Sequence, residues 1–190
     1  MPTTDGLIIS FTDVQQGTAA PPEEHVRRLI RDLQNRSPAA INYFARQLAI
    51  WKALPSGAVL CTLPSPQLGS SASGIRQMAL RLCELGEWLD GTHCLTRTRA
   101  FDERTGEHPE ASLMRQLTTL AVRDTELIQD RQVVLLTDIS RSGKTLRAGE
   151  MLLLRAGARE VAKCCLATEL LADAMSSWTR MHAQRVGEGQ

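Results

Sequence analysis

Asp138 is followed four residues on by Ser142-Gly143-Lys144-Thr145, between the apolar run of Val133–Leu136 and an apolar-periodic segment carrying Leu146, Leu153 and Ala156. A carboxylate, two hydroxyls, a lysine and a glycine at such a junction are suited to holding a phosphate. Gly143-Lys144-Thr145 is also how a nucleotide-triphosphate loop ends. That loop, G-x-x-x-x-G-K-[ST], needs its first glycine where this chain has Asp138. Glycine lets backbone wrap the phosphates, whereas a carboxylate at that point repels them. The later run Glu160–Leu170 supplies no convincing second acidic strand for such a site. The alternative keeps every letter. An apolar strand ends at Asp138, and a helix opens at Ser142–Thr145, offering backbone N–H groups and hydroxyls to a phosphate monoester. A carboxylate beside that phosphate can take a sugar hydroxyl, which outlines a ribose 5-phosphate.

The elements that must position these groups follow from periodicity and punctuation. "GLIISF" (6–11) is a short strand candidate. "PPEEHVRRLIRDLQ" starts a helix with proline and acidic residues. "SPAAINYFARQLAIWKAL" starts another, with Ser37 as cap, Pro38 in the first turn and Ile41, Phe44, Ala45 and Leu48 on one face. "AVLCTL" is a buried strand, "PSPQLGSSASG" a loop, and "IRQMALRLCELGEWL" a helix. "THCLTR" is taken as a strand, "LTTLAV" as a weaker one, "RQVVLLTD" as the strongest and "EVAKCCLATEL" as the last, with Gly157 ending the helix before it. The C-terminal "LLADAMSSWTRMHAQ" is a helix candidate for packing or dimer contact.

This order is α/β, and apolar runs without alternation predict a largely parallel sheet covered by helices on both faces. Ligands of such sheets bind at the carboxyl ends of the strands. The segments after Leu63, Arg97 and Thr137 are expected at that edge. Residues 1–56 are expected to form an N-terminal strand and a helical extension or cap, and residues 57–190 the α/β core with its C-terminal helix.

The chain has 190 residues, 43% hydrophobic and 23% charged, with a formal net charge of +1. That is globular composition, and it gives no global field favouring nucleic acid or an anionic membrane. Five cysteines (61, 83, 94, 164 and 165) lack zinc spacing, and all but Cys83 lie in strand-like apolar runs where cysteine behaves as a small core residue. Trp51, Trp88 and Trp178 are expected in packing roles. No signal peptide or long apolar span is apparent, so a cytoplasmic location is expected.

"VVLLTDISRSGKTL" resembles the phosphoribosyl-pyrophosphate (PRPP) loop of type I phosphoribosyltransferases, in which an apolar strand leads through two acidic residues and three variable positions to Thr/Ser-Gly-x-Thr. "RAGAREV" after the helix and "AVLCTLPSPQLGSSASGIRQMALRL" before it extend the resemblance over roughly 58–169, nearest to a competence-protein-like bacterial branch. The resemblance implies that fold, with a flexible hood. It also implies a Mg²⁺-dependent transfer of phosphoribosyl from PRPP to a small nitrogen nucleophile, with pyrophosphate released. Asp138 would hold a ribose hydroxyl, and Thr137, Ser140, Ser142, Gly143, Lys144 and Thr145 would line the ribose-phosphate cradle. Ser65, Pro66 and Gln67 would lie in the pyrophosphate loop. The polar stretch 98–116 would be the hood; within it, or just before it at Arg97, the side chains Arg97, Arg99, Arg104, His108 and Arg115 are candidates for pyrophosphate, His108 alternatively as a proton carrier. Mg²⁺ would be held mainly by substrate oxygens, with Asp138 the nearest protein ligand. A homodimer is implied by family habit; the partner is a small molecule, with no membrane or nucleic acid.

Two positions depart from the pattern. Thr137 stands in place of the first acidic residue. By the resemblance, Arg141 would stand near the acceptor, where many members carry aspartate or threonine; it is a candidate catalytic group, but an arginine does not act as a base at ordinary pH. These departures support a second reading, a PRPP- or nucleotide-binding regulatory or assembly protein that has lost turnover.

Overall fold

The computed structural model describes residues 8–10, 23–50, 54–65, 73–100, 109–140 and 142–168. Strands β1 (Ile8–Ser10), β2 (Val59–Thr62), β3 (Leu89–Asp90), β6 (Gln132–Ser140) and β7 (Glu160–Thr168) form a sheet in the order β1-β7-β6-β2-β3. Every pairing in it is parallel, with Val59 opposite Val133 and Val133 opposite Val161 at its centre. Strands β4 (Leu95–Arg97) and β5 (Leu120–Val122) pair antiparallel in a separate ribbon. The expected α/β class with a parallel sheet between helices is what the chain adopts.

Side-chain parity along the strands divides the core in two. Leu60, Val134, Leu136, Cys164 and Leu166 face the helices α1 (Glu23–Gln34), α2 (Pro38–Ile50) and α3 (Gly74–Leu85). Val59, Cys61, Val133, Leu135 and Val161 face the other way, onto Leu146 and Leu153 of α6 (Lys144–Arg155) and onto Cys94, Leu95 and Ile128. Strands buried on both faces read as unbroken apolar runs, which is why β2 and β6 stand out in the sequence.

The three helices of the first face are set by local signals. In α1, Val26, Ile30 and Leu33 recur at helical spacing and are buried. Its end is tied by bonds from Arg36 N to Leu33 O (2.8 Å) and from Ser37 N to Asp32 O (2.9 Å), with Arg36 at φ 63°. This is the left-handed closure that usually takes glycine. In α2, Ile41, Phe44, Ala45 and Leu48 form the buried stripe, and Ser37 O accepts the first helical bond from Ile41 N. Fully burying a side chain such as Phe44 contributes about 1.5–3 kcal/mol. The Ser73 hydroxyl caps α3 by accepting from Arg76 N. The helices 23–50 thus share one core with the sheet.

Several elements depart from the sequence expectation. The third helix stops at Leu85, where Gly86 N closes on Leu82 O, so Trp88 and Leu89 are not helical and Leu89–Asp90 becomes an edge strand. The expected strand at "THCLTR" is shortened to Leu95–Arg97 and belongs to the β4–β5 ribbon, so Arg97 does not end a strand of the parallel sheet. Strand β6 runs past Asp138 to Ser140, because Ile139 and Ser140 continue to pair with Ala167 and Thr168 of β7. Half of the expected hood is a regular helix, α4 (Pro109–Thr119), which packs on α6 with Ser112 and Gln116 buried. A four-residue helix, α5 (Thr125–Ile128), precedes β6. Gly157, at φ 102°, follows the end of α6 and closes it through Gly157 N to Leu154 O. The C-terminal helix candidate lies outside the described residues.

Candidate functional site

After β2 the chain crosses the first face through α3 and moves outward to β3. After β6 it crosses the opposite face through α6 and moves outward to β7. Neighbouring strands β2 and β6 therefore send their connections in opposite directions, and a crevice opens between their carboxyl ends. Such a switch point is where open parallel sheets take ligands. A cleft of about 250 Å³ lies there, lined by Gln34, Leu63, Ile139, Ser140, Ser142, Gly143, Lys144, Thr145 and Leu146.

The turn into α6 gives the cleft its character. Gly143 precedes the helix at φ 69° and ψ −5°, a left-handed conformation that costs a side-chain-bearing residue about 1–2 kcal/mol. The first bond of the helix runs from Arg147 N to Gly143 O, so the N–H groups of Lys144, Thr145 and Leu146 precede the intrahelical ladder. No side chain caps them from the Gly143 position. Together with the partial positive charge of the helix end, they suit an anion. The Lys144 ammonium and the hydroxyls of Ser142 and Thr145 border the same space.

One polar side chain beyond the motif bonds to this turn, and a second holds it in place. Gln116 Nε2 donates to Thr145 Oγ1 at 3.0 Å, which leaves the Thr145 hydroxyl hydrogen to point elsewhere. The Gln116 amide is oriented in turn by Arg97, whose Nη2 donates to Gln116 Oε1 at 3.4 Å. Arg97 also donates from Nη1 to Thr119 Oγ1 (2.8 Å) and from Nε to the carbonyl of Ser65 (2.9 Å). Burial pulls its guanidinium below the ordinary arginine value. Arg97 therefore ties the start of the loop after β2 to α4, and Gln116 carries that tie to the turn before α6.

On β6, just before the cleft, Asp138 is half-buried and faces α1. Its Oδ2 accepts from Gln34 Nε2 at 2.8 Å, and its Oδ1 accepts from Ile139 N at 2.8 Å. Thr137 is buried, 7% exposed, with its hydroxyl oxygen 3.4 Å from both Asp138 Oδ1 and the Ile139 carbonyl. Its hydroxyl is thus turned to neighbouring backbone and carboxylate.

Of the residues singled out in the sequence, the structure gathers Ser140, Ser142, Gly143, Lys144 and Thr145 at one cleft, with Thr137 and Asp138 immediately before it on the same strand. Ser65 and Arg97 meet through one hydrogen bond. Arg99 and Arg115 are described but line no part of the cleft. Pro66, Gln67, Arg104, His108 and Arg141 lie outside the described residues. Gln34 and Gln116 are additions. Neither carries a local signal, because each reaches the motif from a helix remote in sequence. Among the described residues no three His, Cys, Asp or Glu side chains converge as a metal site. The cysteines are free, and four are buried. The Cys61 thiol is held high by its hydrogen bond to Cys94 and by burial, and burial lifts Cys83 to about 11.

No described helix is long and apolar enough to cross a membrane. No family model matches the chain, and no curated protein matches it. Among solved structures it is similar to the allosteric regulatory enzyme of purine biosynthesis, with 22% identity and a TM-score of 0.42, over 64% of this chain and 24% of that one. It is similar to a hypoxanthine phosphoribosyltransferase from Staphylococcus aureus, with 16% identity and a TM-score of 0.40, over 73% of this chain and 64% of that one. For the hypoxanthine phosphoribosyltransferase of Trypanosoma cruzi the values are 14% and 0.39, over 77% of this chain and 66% of that one.

Proposed function

We propose that the chain is a phosphoribosyltransferase-like protein of the type I kind. It binds PRPP or a ribose 5-phosphate nucleotide and transfers the phosphoribosyl group to a small nitrogen nucleophile with release of pyrophosphate. The observation that carries this is the coincidence of the Asp138–Thr145 motif with a cleft at the β2–β6 switch point. The 5-phosphate sits against the N–H groups opening α6 and the hydroxyls of Ser142 and Thr145. Asp138 holds the ribose, and the loop after β2, anchored at Ser65 by Arg97, flanks the pyrophosphate.

In the reaction a nitrogen lone pair forms a bond to the ribose C1, the C1–oxygen bond to pyrophosphate breaks, and that pair leaves with the pyrophosphate. Positive charge develops on the ring and negative charge on the leaving group, so catalysis is mainly placement and electrostatics. A single protein carboxylate at Asp138 fits a divalent cation held largely by substrate oxygens. When bound, Mg²⁺ neutralises charge on the leaving pyrophosphate. Thr137, turned inward in place of an acid, favours the second reading: a PRPP- or nucleotide-binding regulatory or assembly protein without turnover.

Calorimetric titration with PRPP and Mg²⁺, then a pyrophosphate-release assay over a panel of bases, tests both readings. Binding that weakens at least tenfold in Asp138→Ala, together with base-dependent pyrophosphate release, is the expected result for the enzyme. Binding without release identifies the regulatory form. Absence of PRPP binding rejects both.

A further inference from the structure

Gln34 closes α1, is exposed to solvent and lines the phosphate cleft, 104 positions from the aspartate it touches. A carboxylate offers only acceptors, so the amide must turn its NH₂ to Asp138, with its carbonyl oxygen on the other side of the group. Each carboxylate oxygen has about two acceptor positions. At Asp138, Oδ1 meets both Ile139 N and the Thr137 hydroxyl, whereas Oδ2 meets Gln34 alone among the described residues. One acceptor position on Oδ2 therefore remains for a ligand hydroxyl, immediately beside the Gln34 amide. That amide keeps a second N–H and a carbonyl oxygen, a donor and an acceptor matched to a second hydroxyl on the adjoining carbon. Thr137 does not supply this second contact, since it is buried and its hydroxyl is engaged within the strand.

We propose that Gln34 is a specificity-determining residue that reads the sugar. Its amide and the Asp138 carboxylate together hold the vicinal hydroxyls of a ribose 5-phosphate, the amide standing in for the acid absent at Thr137. The inference rests on the phosphate-cradle reading above. It gives the N-terminal helix a direct part in ligand recognition through a residue that the Asp138–Thr145 motif does not contain.

The test is equilibrium binding of four probes to the whole chain and to Gln34→Leu: ribose 5-phosphate, 2-deoxyribose 5-phosphate, 3-deoxyribose 5-phosphate and inorganic phosphate. The unmodified protein should prefer ribose 5-phosphate over each deoxy sugar by about three- to tenfold, the worth of one hydrogen bond. Gln34→Leu should abolish the preference over one of the two deoxy sugars and leave inorganic phosphate binding unchanged. Because Gln34 is exposed, unchanged phosphate binding also certifies the fold of the variant. If both preferences survive in Gln34→Leu, or the unmodified protein shows none, the sugar-reading role is overturned while the cradle stands. If neither the sugar phosphates nor inorganic phosphate bind, the cradle reading falls, and this inference with it.

Discussion

Thr137 and Asp138 are neighbours on one strand with opposite surroundings, and the difference decides what each can do. Asp138 faces the C-terminal end of α1, where its Oδ2 accepts from the cleft-lining Gln34. Thr137 faces inward with its hydroxyl between two acceptors, Asp138 Oδ1 and Ile139 O. Restoring the missing acid as Thr137→Asp removes a donor and sets a second carboxylate against those acceptors. Such a change should lower stability by about 1–3 kcal/mol, read from the urea midpoint, without increasing pyrophosphate release. A variant as stable as the parent and more active would show that the position opens to the ligand. The motif around these residues was legible because its chemistry is local: an acid, a glycine able to take positive φ, and hydroxyls within eight positions. The partners of the motif were not legible, since Gln34 and Gln116 depend on which helices pack beside the strand end.

At the scale of elements, Gln34 is placed by the contact between α1 and α3. A Cβ added to Gly74 would lie 1.8 Å from the carbonyl oxygen of Leu33 and 2.7 Å from its carbonyl carbon. Backbone cannot yield as a side-chain tip does, so Gly74→Ala must push the end of α1 away. The expected outcome is a loss of about 1–3 kcal/mol in stability together with a weakened preference for ribose over the deoxy sugars. Denaturation and sugar-phosphate titration of the same variant check the two effects. A fully stable Gly74→Ala with unaltered sugar preference would contradict the coupling. The long elements were readable in the sequence: β2 and β6 as continuous apolar runs, and α2 and α3 from their stripes, with Ser37 marking the start of α2. Leu89–Asp90 was not, because two residues are too few to show a period, and the strand read at "THCLTR" gave no sign of its place in a separate ribbon. Their placement depends on hydrogen bonds to Ala58 and Thr119, which no local pattern encodes.

At the scale of the whole molecule, two apolar layers lie between the helices and the sheet, and Cys83 of α3 and Cys164 of β7 pack in one of them. Burial holds the thiols of Cys83 and Cys164 up, to about 11 and about 12, from an ordinary 9.0. A thiol raised in the folded state contributes stability while it is neutral, below the unfolded value, and that contribution is lost as pH rises through the folded one. The unfolding midpoint should therefore lose this contribution between about pH 9 and 12, and a Cys83→Ser, Cys164→Ala variant should show a shallower decline. An identical decline in the variant would remove the thiols from the account. The switch point between β2 and β6 also belongs to this scale, since it arises from the order of strands rather than from any one of them.

The proposed reading puts the phosphate of a ribose 5-phosphate on the turn before α6, where backbone amide resonances would report it directly. In a nitrogen–proton correlation spectrum titrated with ribose 5-phosphate, the amides of Gly143, Lys144, Thr145 and Leu146 should shift first and farthest, saturating together with the Gln34 side-chain amide. Shifts confined to another part of the molecule, or none at all, would contradict the account.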